Sequence, residues 1–248
     1  MDELKRRALA SIEADAIVLA GGNVRRWDGV AAGVVPATPG RSIFNGVTYA
    51  EEAALAASID EVALAYEDAG VDAWTVWVPE EDRASAELLQ RRGHMMDGGP
   101  QAMSLWLEDL EEGPPAADGV GPATGTAEDI GRINDIAYDK PGPGFAAALG
   151  DGAGVEADWH FAAAGDELVS CLGTIPIGDD VLVTVVATLP GWRGRGIAGW
   201  LLRCALAECR DQGARSASLR ASALGAGVYA GLGFVDHGCV ELWEKRVA

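Results

Sequence analysis

A glycine- and arginine-rich loop leads into a predicted helix. The loop and the first residues of the helix have the sequence Arg193-Gly194-Arg195-Gly196-Ile197-Ala198. The first amides of a helix lack partners within the helix, and the helix dipole favours an anion beside them. Glycine lets the backbone approach a phosphate closely, and the two arginines add positive charge for a pyrophosphate or a 3′-phosphate. The segment is therefore predicted to bind a phosphate group.

The glycines of this region, Gly194, Gly196 and Gly199, also fit the spacing GxGxxG. A dinucleotide-binding unit with that pattern has an acidic residue about 20 residues further on, at the end of its next strand. Here the next predicted strand, Ser216 to Arg220, ends in arginine, and predicted antiparallel hairpins precede the loop. Dinucleotide binding is therefore disfavoured, and the absence of lysine from the segment excludes the GxxxxGK[ST] loop. Because the pattern is so short, an ordinary strand–turn–helix connection that binds no ligand remains an alternative.

The elements on either side of the segment are readable from the sequence. The stretch Val181 to Thr188 is rich in β-branched residues and too apolar to face solvent, which indicates a buried central strand. The stretch Ile197 to Asp211 has apolar residues at helical spacing, and Gly213 ends it. The phosphate-binding segment therefore joins a buried strand directly to a long helix.

A charged and proline-rich stretch from Leu110 to Gly119 can continue neither a helix nor a strand, and it predicts a linker. We place the linker at residues 111–118, between one domain at residues 1–110 and a second at 119–248. The second domain contains further predicted elements, namely helices at Thr126–Ala137 and Phe145–Leu149, strands at Trp159–Ala163 and Glu167–Ile175, a strand at Ser216–Arg220, a short helix at Gly225–Gly231 and a closing strand region at Phe234–Arg246.

The first domain has a similar order of elements, which predicts a tandem duplication. Its predicted elements are strands at Gly29–Pro36, Arg41–Val47, Ala73–Val78 and Ala102–Leu107 and helices at Glu51–Asp68 and Asp82–Arg91. The start of the Glu51–Asp68 helix has no glycine or arginine, and its two glutamates would repel a pyrophosphate. We therefore expect one active site per chain, with the first domain as a structural or substrate-gating partner.

The residues around the phosphate-binding segment resemble the GNAT superfamily of N-acetyltransferases. Arg193, Gly196 and Ala198 fill the three defined positions of its [R/Q]-x-x-G-x-[G/A] motif. Downstream, Ser222 to Phe234 is similar to the second motif of the family, a short helix with a tyrosine followed by Leu-Gly-Phe. The resemblance covers about residues 119–248, and the first domain is similar only as a degenerate repeat, in which Leu89 replaces the tyrosine.

The resemblance implies an α/β (α+β) fold, a tandem GNAT-like protein whose mixed central sheet is splayed at Val181–Thr188 and flanked by helices. It implies acetyl-CoA as co-substrate, with the strand end pairing with the pantetheine arm and the loop amides holding the pyrophosphate. The implied binding residues are Val186, Ala187, Thr188, Arg193, Gly194, Arg195, Gly196, Ile197 and Ala198.

The resemblance also implies direct attack of an amine on the thioester, with Tyr229 protonating the leaving thiolate. A phenol close to the sulfur can donate a proton as charge develops there. Taken alone, a tyrosine is more often a core residue whose hydroxyl is bonded locally. The expected function is transfer of acetyl to a primary amine of a small molecule or peptide. The alternative is a non-catalytic acyl-CoA-binding or sensing module.

No general base can be chosen from the sequence. The predicted central strand contains no carboxylate and no histidine. Four titratable residues are expected near it in the fold, and each is by default a surface or turn residue: His160, Asp158, Asp180 and Glu241. An intact Tyr229 favours the enzyme, whereas the missing base favours the sensing module.

The charge of the chain is −19, and residues 181–248 alone carry eight Arg and Lys against five Asp and Glu. The first 180 residues therefore hold all of the negative excess. An anionic protein disfavours nucleic acid as a partner and is compatible with a cationic amine as acceptor, although acidity also serves solubility.

Other features predict a cytoplasmic protein without a membrane partner. We expect a monomer or a homodimer. No apolar run is long enough for a membrane span, and the first residues lack the order of a secretory signal. The four cysteines form no CxxC pair and fall in predicted strands and helices, which indicates buried thiols in a reducing compartment: Cys171, Cys204, Cys209 and Cys239. Three histidines, none paired with a cysteine at ligand spacing, give little support for a metal site.

Overall fold

The computed structural model of the protein describes residues 2–18, 20, 23–139, 144 and 157–247. Its helices are α1 (Glu3–Val18), α2 (Glu52–Asp68), α3 (Arg83–Arg91), α4 (Ala127–Ala137), α5 (Ile197–Asp211) and α6 (Ala226–Ala230). Its strands are β1 (Val24–Trp27), β2 (Val30–Gly33), β3 (Gly46–Tyr49), β4 (Ala73–Pro79), β5 (Met95–Gly98), β6 (Gln101–Trp106), β7 (Val120–Ala123), β8 (Asp158–Ala164), β9 (Glu167–Ile177), β10 (Asp180–Thr188), β11 (Ser216–Ala221) and β12 (Val235–Arg246). The predicted helix at Phe145–Leu149 lies outside the described residues.

The described residues form two compact units. The C-terminal unit contains residues 2–11, 101–139 and 157–237, and the N-terminal unit contains the described part of 12–100 together with 238–247. Each unit takes one strand from the other half of the chain: β6 pairs with β11, and the last residues of β12 pair with β4. The predicted boundaries at residues 110 and 119 therefore do not coincide with the two units, because strand pairing rather than chain order decides where each unit ends.

The C-terminal unit has a six-stranded mixed sheet in the order β7-β8-β9-β10-β11-β6. Strands β7 to β10 pair antiparallel, and β10 is parallel to β11 across the crossover helix α5. The parallel pairing joins Asp180–Val183 to Ser216–Leu219 and goes no further. The two strands therefore diverge after Val183, which confirms the predicted mixed sheet with a splay at β10.

Helices α4 and α5 cover opposite faces of this sheet. Leu172 on β9 packs in one cluster with Leu202 and Leu206 of α5. The next residue back, Cys171, contacts α4 instead, with its sulfur 4.0 Å from the carbonyl oxygen of Ile130. Because neighbouring residues of a strand point to opposite faces, α5 lies on one side of the sheet and α4 on the other.

The N-terminal unit repeats this plan with a smaller sheet in the order β1-β2-β3-β4-β12, with β5 pairing to β12. Strands β1 to β3 pair antiparallel, and β3 is parallel to β4 across helix α2. A short helix, α3, then follows β4, as α6 follows β11. The order of elements agrees with the predicted duplication. Helix α2 begins at Glu52 with Glu51 as its N-cap, so its start carries the negative charge expected of a degenerate half.

The cysteines correct one expectation, and the tryptophans are divided between the two units. Cys171 and Cys209 are buried, but Cys204 is exposed, so the prediction that all four thiols are buried was wrong. Trp74 and Trp77 are buried in the N-terminal unit, whereas Trp106 belongs to the C-terminal unit, where the Arg7 guanidinium lies 5.1 Å from its ring centroid. No helix among the described residues is both long and apolar enough to span a membrane.

Candidate active site

A pocket of about 560 Å³ in the C-terminal unit lies where β10 ends, α5 begins and α6 crosses. Its volume is in the range of small-molecule sites. Nine of the ten predicted site residues line it, namely Val186, Ala187, Thr188, Arg193, Gly194, Gly196, Ile197, Ala198 and Tyr229. The structure therefore brings together in one cavity the two motifs that are separated in the sequence.

The tenth predicted residue, Arg195, is not among the residues that line the pocket. Its guanidinium lies 4.5 Å from the centroid of the Trp192 ring, and it donates a hydrogen bond to the Gly191 carbonyl at 3.1 Å. Trp192 itself lines the pocket. Arg195 is therefore placed to stiffen the loop through a cation–π contact with a pocket-lining ring, and its contact with a ligand stays a prediction.

The loop before α5 depends on two glycines in the left-handed region. Gly194 and Gly196 both have φ of 74°, and a Cβ atom built on either would meet no atom within 4 Å. Glycine is thus required by the backbone conformation and not by lack of space. Gly196 is the N-cap of α5 and has no side chain to accept from the first-turn amides. An anion in the pocket could accept those hydrogen bonds instead.

Arg193 connects the loop to two other elements. Its Nε donates to the Thr188 carbonyl at 3.2 Å, and a terminal nitrogen donates to the Ala137 carbonyl at the end of α4. A guanidinium has five donor hydrogens, so these two bonds leave others to face the pocket that Arg193 lines. The side chain therefore fixes the end of β10 against α4 and still supplies positive charge.

A bulge in β10 shapes the pocket wall. The pairing of β10 with β9 shifts register between Thr184 and Ala187, and Val185 within the bulge has φ of 53°. A β-branched residue in the left-handed region is strained. Strain of this kind often lies at functional sites, and here it precedes the pocket-lining residues Val186 to Thr188.

Tyr229 on α6 is both a packed residue and a pocket-lining residue. Only 7% of it is exposed, and its ring meets that of Phe234 edge-on with centroids 6.0 Å apart. A Cβ atom built on Gly225 would lie 2.9 Å from the Tyr229 ring. Glycine at position 225 therefore lets the ring lie close to the backbone, with the hydroxyl near the pocket wall.

Two of the four candidate bases, His160 and Asp180, are not among the residues that line the pocket. His160 has Nδ1 3.9 Å from a carboxylate oxygen of Glu208, which stands about 7.5 Å along α5 beyond the pocket-lining Arg203, at 1.5 Å per residue. Burial lowers the pKa of His160, against the opposing charge of Glu208. Asp180 begins β10 and accepts a hydrogen bond from Ser216. It is roughly 25 Å along the strand from Thr188.

The other two candidates do not line the pocket either. Asp158 is the exposed first residue of β8. Glu241 belongs to the N-terminal unit, where it pairs with Arg83 and accepts a hydrogen bond from Trp243 Nε1 at 2.8 Å. Among the described residues that line the pocket, none is Asp, Glu or His, whereas Arg193 and Arg203 are both present. The pocket wall is therefore cationic and suits a phosphate-bearing ligand.

Several pocket-lining residues were missed from the sequence, among them Pro114, Tyr138, Arg203 and Ser222. Arg203 could have been found, because it lies four residues after Gly199 on the same helix face. The described residues contain no group of three or more His, Cys, Asp or Glu that could hold a metal ion.

Residues 156–236 match the family described as "Acetyltransferase (GNAT) domain". The matched range contains the splayed strand, the glycine-rich loop and the tyrosine helix. A GNAT acetyltransferase domain is therefore present in this C-terminal part of the chain. No curated protein matches the chain in sequence.

Solved structures with this fold are similar over most of the chain. A GCN5-related N-acetyltransferase from Kribbella flavida has a TM-score of 0.69 at 17% identity, with 98% of this chain and 96% of that chain covered. Another from Sphaerobacter thermophilus has a TM-score of 0.63 at 18% identity, with coverage of 88% and 76%. A tandem GNAT protein from the clavulanic acid biosynthesis pathway has a TM-score of 0.58 at 11% identity, with coverage of 82% and 75%. At these identities the likeness shows a GNAT fold, of which a tandem form is known.

Proposed function

We propose that the protein transfers the acetyl group of acetyl-CoA to a primary amine of a small molecule or peptide, at one site in its GNAT domain. The observation that carries this proposal is that three features line one and the same pocket. They are the start of α5, which has no side-chain cap, the diverging end of β10, and Tyr229. A phosphate site alone would need only the first of these features. A channel between diverging strands with a phenol beside it suits a thioester.

In this proposal each part of the pocket has one role. The amides at the start of α5 hold the pyrophosphate, and the backbone of Val186 to Thr188 pairs with the pantetheine arm. The amine attacks the thioester carbonyl directly, so that no acyl group is attached to the protein. Tyr229 donates its proton to the departing thiolate, which would otherwise leave as an anion in a partly buried site.

The acceptor must lose a proton during the reaction. Since no carboxylate or histidine is among the described residues that line the pocket, we propose that the amine reaches the site as the free base or loses its proton to water. The rate should then rise with pH until the acceptor amine itself is deprotonated. The acidic first 180 residues favour a cationic acceptor, and we place the reaction in the cytoplasm.

Two measurements test the proposal. First, CoA and acetyl-CoA should raise the melting temperature of the full chain, whereas NAD and ATP at equal concentration should not. Stabilisation by NAD or ATP instead would point to a nucleotide site and contradict the proposal.

Second, thiol release from acetyl-CoA should be seen with at least one member of a panel of amines and peptides. Binding of acetyl-CoA without turnover across a broad panel would favour the alternative, a non-catalytic acyl-CoA sensor.

A further inference from the structure

Tyr138 is a pocket-lining residue that neither sequence motif includes. It follows directly after α4, so it reaches the pocket from the sheet face that α4 covers. Helix α5 covers the opposite face, and the side chain of Arg193 in the loop before it reaches the end of α4 through its bond to the Ala137 carbonyl. Tyr138 therefore approaches the split between β10 and β11 from the side opposite to α5.

The Tyr138 hydroxyl lies at this split. It donates a hydrogen bond to the Val186 carbonyl on β10 at 3.3 Å, and Ser222, just after β11, lines the same pocket. The last paired residues of the two strands are Val183 and Leu219. Val186 and Ser222 are each three residues beyond that pair, so the Tyr138 side chain stands at the level where the two strands have separated.

The chemistry of the phenol keeps the bond to Val186 in place. Partial burial raises the pKa of Tyr138, and the Ser222 side chain and the Arg193 charge act in the other direction. The phenol is therefore protonated at neutral pH and acts as a donor to Val186. A carbonyl oxygen has two lone pairs, so Val186 can accept from Tyr138 and from an amide of a pantetheine arm at the same time.

We propose that Tyr138 sets the length of the acyl group that the pocket admits, by closing the far side of the split to anything much longer than acetyl. This inference rests on the proposed function, since it concerns the donor of the same site. An acyl chain that enters from the α5 face and extends through the split meets the Tyr138 side chain beside Val186. A longer chain must displace that side chain and break its hydrogen bond to the Val186 carbonyl.

The test is the affinity of the full chain for CoA, acetyl-CoA, butyryl-CoA and octanoyl-CoA, measured by titration calorimetry. In the wild type, octanoyl-CoA should bind at least about 10-fold more weakly than acetyl-CoA, the size of effect that a closed pocket imposes on extra methylenes. Tyr138→Ala should bring the two affinities within about threefold of each other, and the ratio of the two is the quantity that tests the inference. Because Tyr138 is 44% exposed, its removal opens no core cavity, and Tyr138→Leu is a second variant of intermediate size.

The control is Arg203→Ala, at the pocket wall on the second turn of α5. Loss of this charge should weaken all four ligands by the same factor and leave their ratio unchanged. Equal affinity of the wild type for acetyl- and octanoyl-CoA would overturn the inference, as would an unchanged ratio in both Tyr138 variants or an equally changed ratio in Arg203→Ala. Failure of CoA itself to bind would overturn the proposed function and this inference with it, and so the two failures are distinguishable.

Discussion

At the scale of single residues, the phosphate-binding loop depends on backbone conformation more than on side-chain charge. Gly194 and Gly196 hold left-handed φ values with open space around them. The charge expected from Arg195 is turned onto Trp192, and part of Arg193 is used by backbone carbonyls. We therefore expect the amides of the loop to contribute more to phosphate binding than the arginines, which organise the loop.

Gly196→Ala tests this view. A Cβ atom at a φ of 74° costs about 1–2 kcal/mol, and it would stand beside the amides that hold the pyrophosphate. We expect the affinity for CoA to fall by about 10-fold or more, which is 1.4 kcal/mol, in titration calorimetry. Gly191→Ala is the matched control, because Gly191 lies in the same loop without a positive φ and with nothing within 4 Å of its Cβ position. Equal losses in both variants would contradict the role given to the left-handed turn.

Tyr229→Phe separates binding from chemistry. The Tyr229 ring packs against Phe234, and the substituted phenylalanine has the same ring. The affinity for CoA should therefore stay within about threefold of the wild type. Turnover of acetyl-CoA with an accepted amine should fall by about 100-fold or more, the lower limit for loss of a general acid. Turnover unchanged in this variant would show that Tyr229 is only a core residue.

At the scale of elements, β10 combines a regular half with a strained half. Val183 is buried and lies in the paired part of the strand, whereas Val185 sits in the bulge with φ of 53°. The strand thus changes from parallel pairing with β11 to lining the pocket within a few residues.

Replacing these two valines with glycine should have opposite effects on stability. Val185→Gly relieves the left-handed strain and should raise the free energy of unfolding by about 1 kcal/mol. Val183→Gly removes a buried side chain and should lower it by about 2 kcal/mol or more. Urea unfolding of both variants measures this, and a destabilised Val185→Gly variant would show that the bulge is not strained.

The elements near the site were largely predictable. Helix α5 has the predicted bounds, Ile197–Asp211. Its apolar residues at helical spacing identify the helix, and the glycines before and after it mark where it begins and ends. Strand β7 was not predicted, since its sequence Val-Gly-Pro-Ala has low strand propensity, and pairing with β8 is what makes it a strand. Tyr138 was missed for a related reason, because its bond to Val186 joins residues 48 positions apart.

At the scale of the whole molecule, the linker at residues 111–118 does not separate two independent domains. Strand β6 precedes the linker yet belongs to the C-terminal unit, where it pairs along the whole of β11. Nothing in the composition of β6 distinguishes it from a strand of its own half, so the exchange could not be predicted from the sequence.

Two truncated fragments of the chain test whether β6 belongs to the C-terminal unit. A fragment of residues 119–248 loses β6 and leaves β11 with an unpaired buried edge, so we expect it to aggregate or to lack a cooperative unfolding transition. A fragment of residues 101–248 keeps β6 and should retain more helical and sheet signal in circular dichroism and measurable CoA binding. Equal behaviour of the two fragments would contradict the assignment of β6 to the C-terminal unit.

Acid should destabilise the molecule through His94. Burial, and then the charge of Lys245, lower the pKa of this histidine from 6.5 to about 4. Between those values the unfolded chain binds the proton and the folded chain does not, so stability falls as pH drops from about 6.5 to 4, by up to about 3 kcal/mol from this group. His94→Gln should lose less stability than the wild type over that range in urea unfolding, and an identical pH profile would show that His94 is not a source of the acid sensitivity.

The central claim is that the chain has one acyl-CoA site and that it lies in the GNAT domain. Titration calorimetry of the full chain with acetyl-CoA tests it most directly. We predict a stoichiometry of one per chain, strongly weakened binding in Gly196→Ala and no heat of binding with NAD or ATP. Two sites per chain, binding that is indifferent to Gly196, or no binding at all would contradict it.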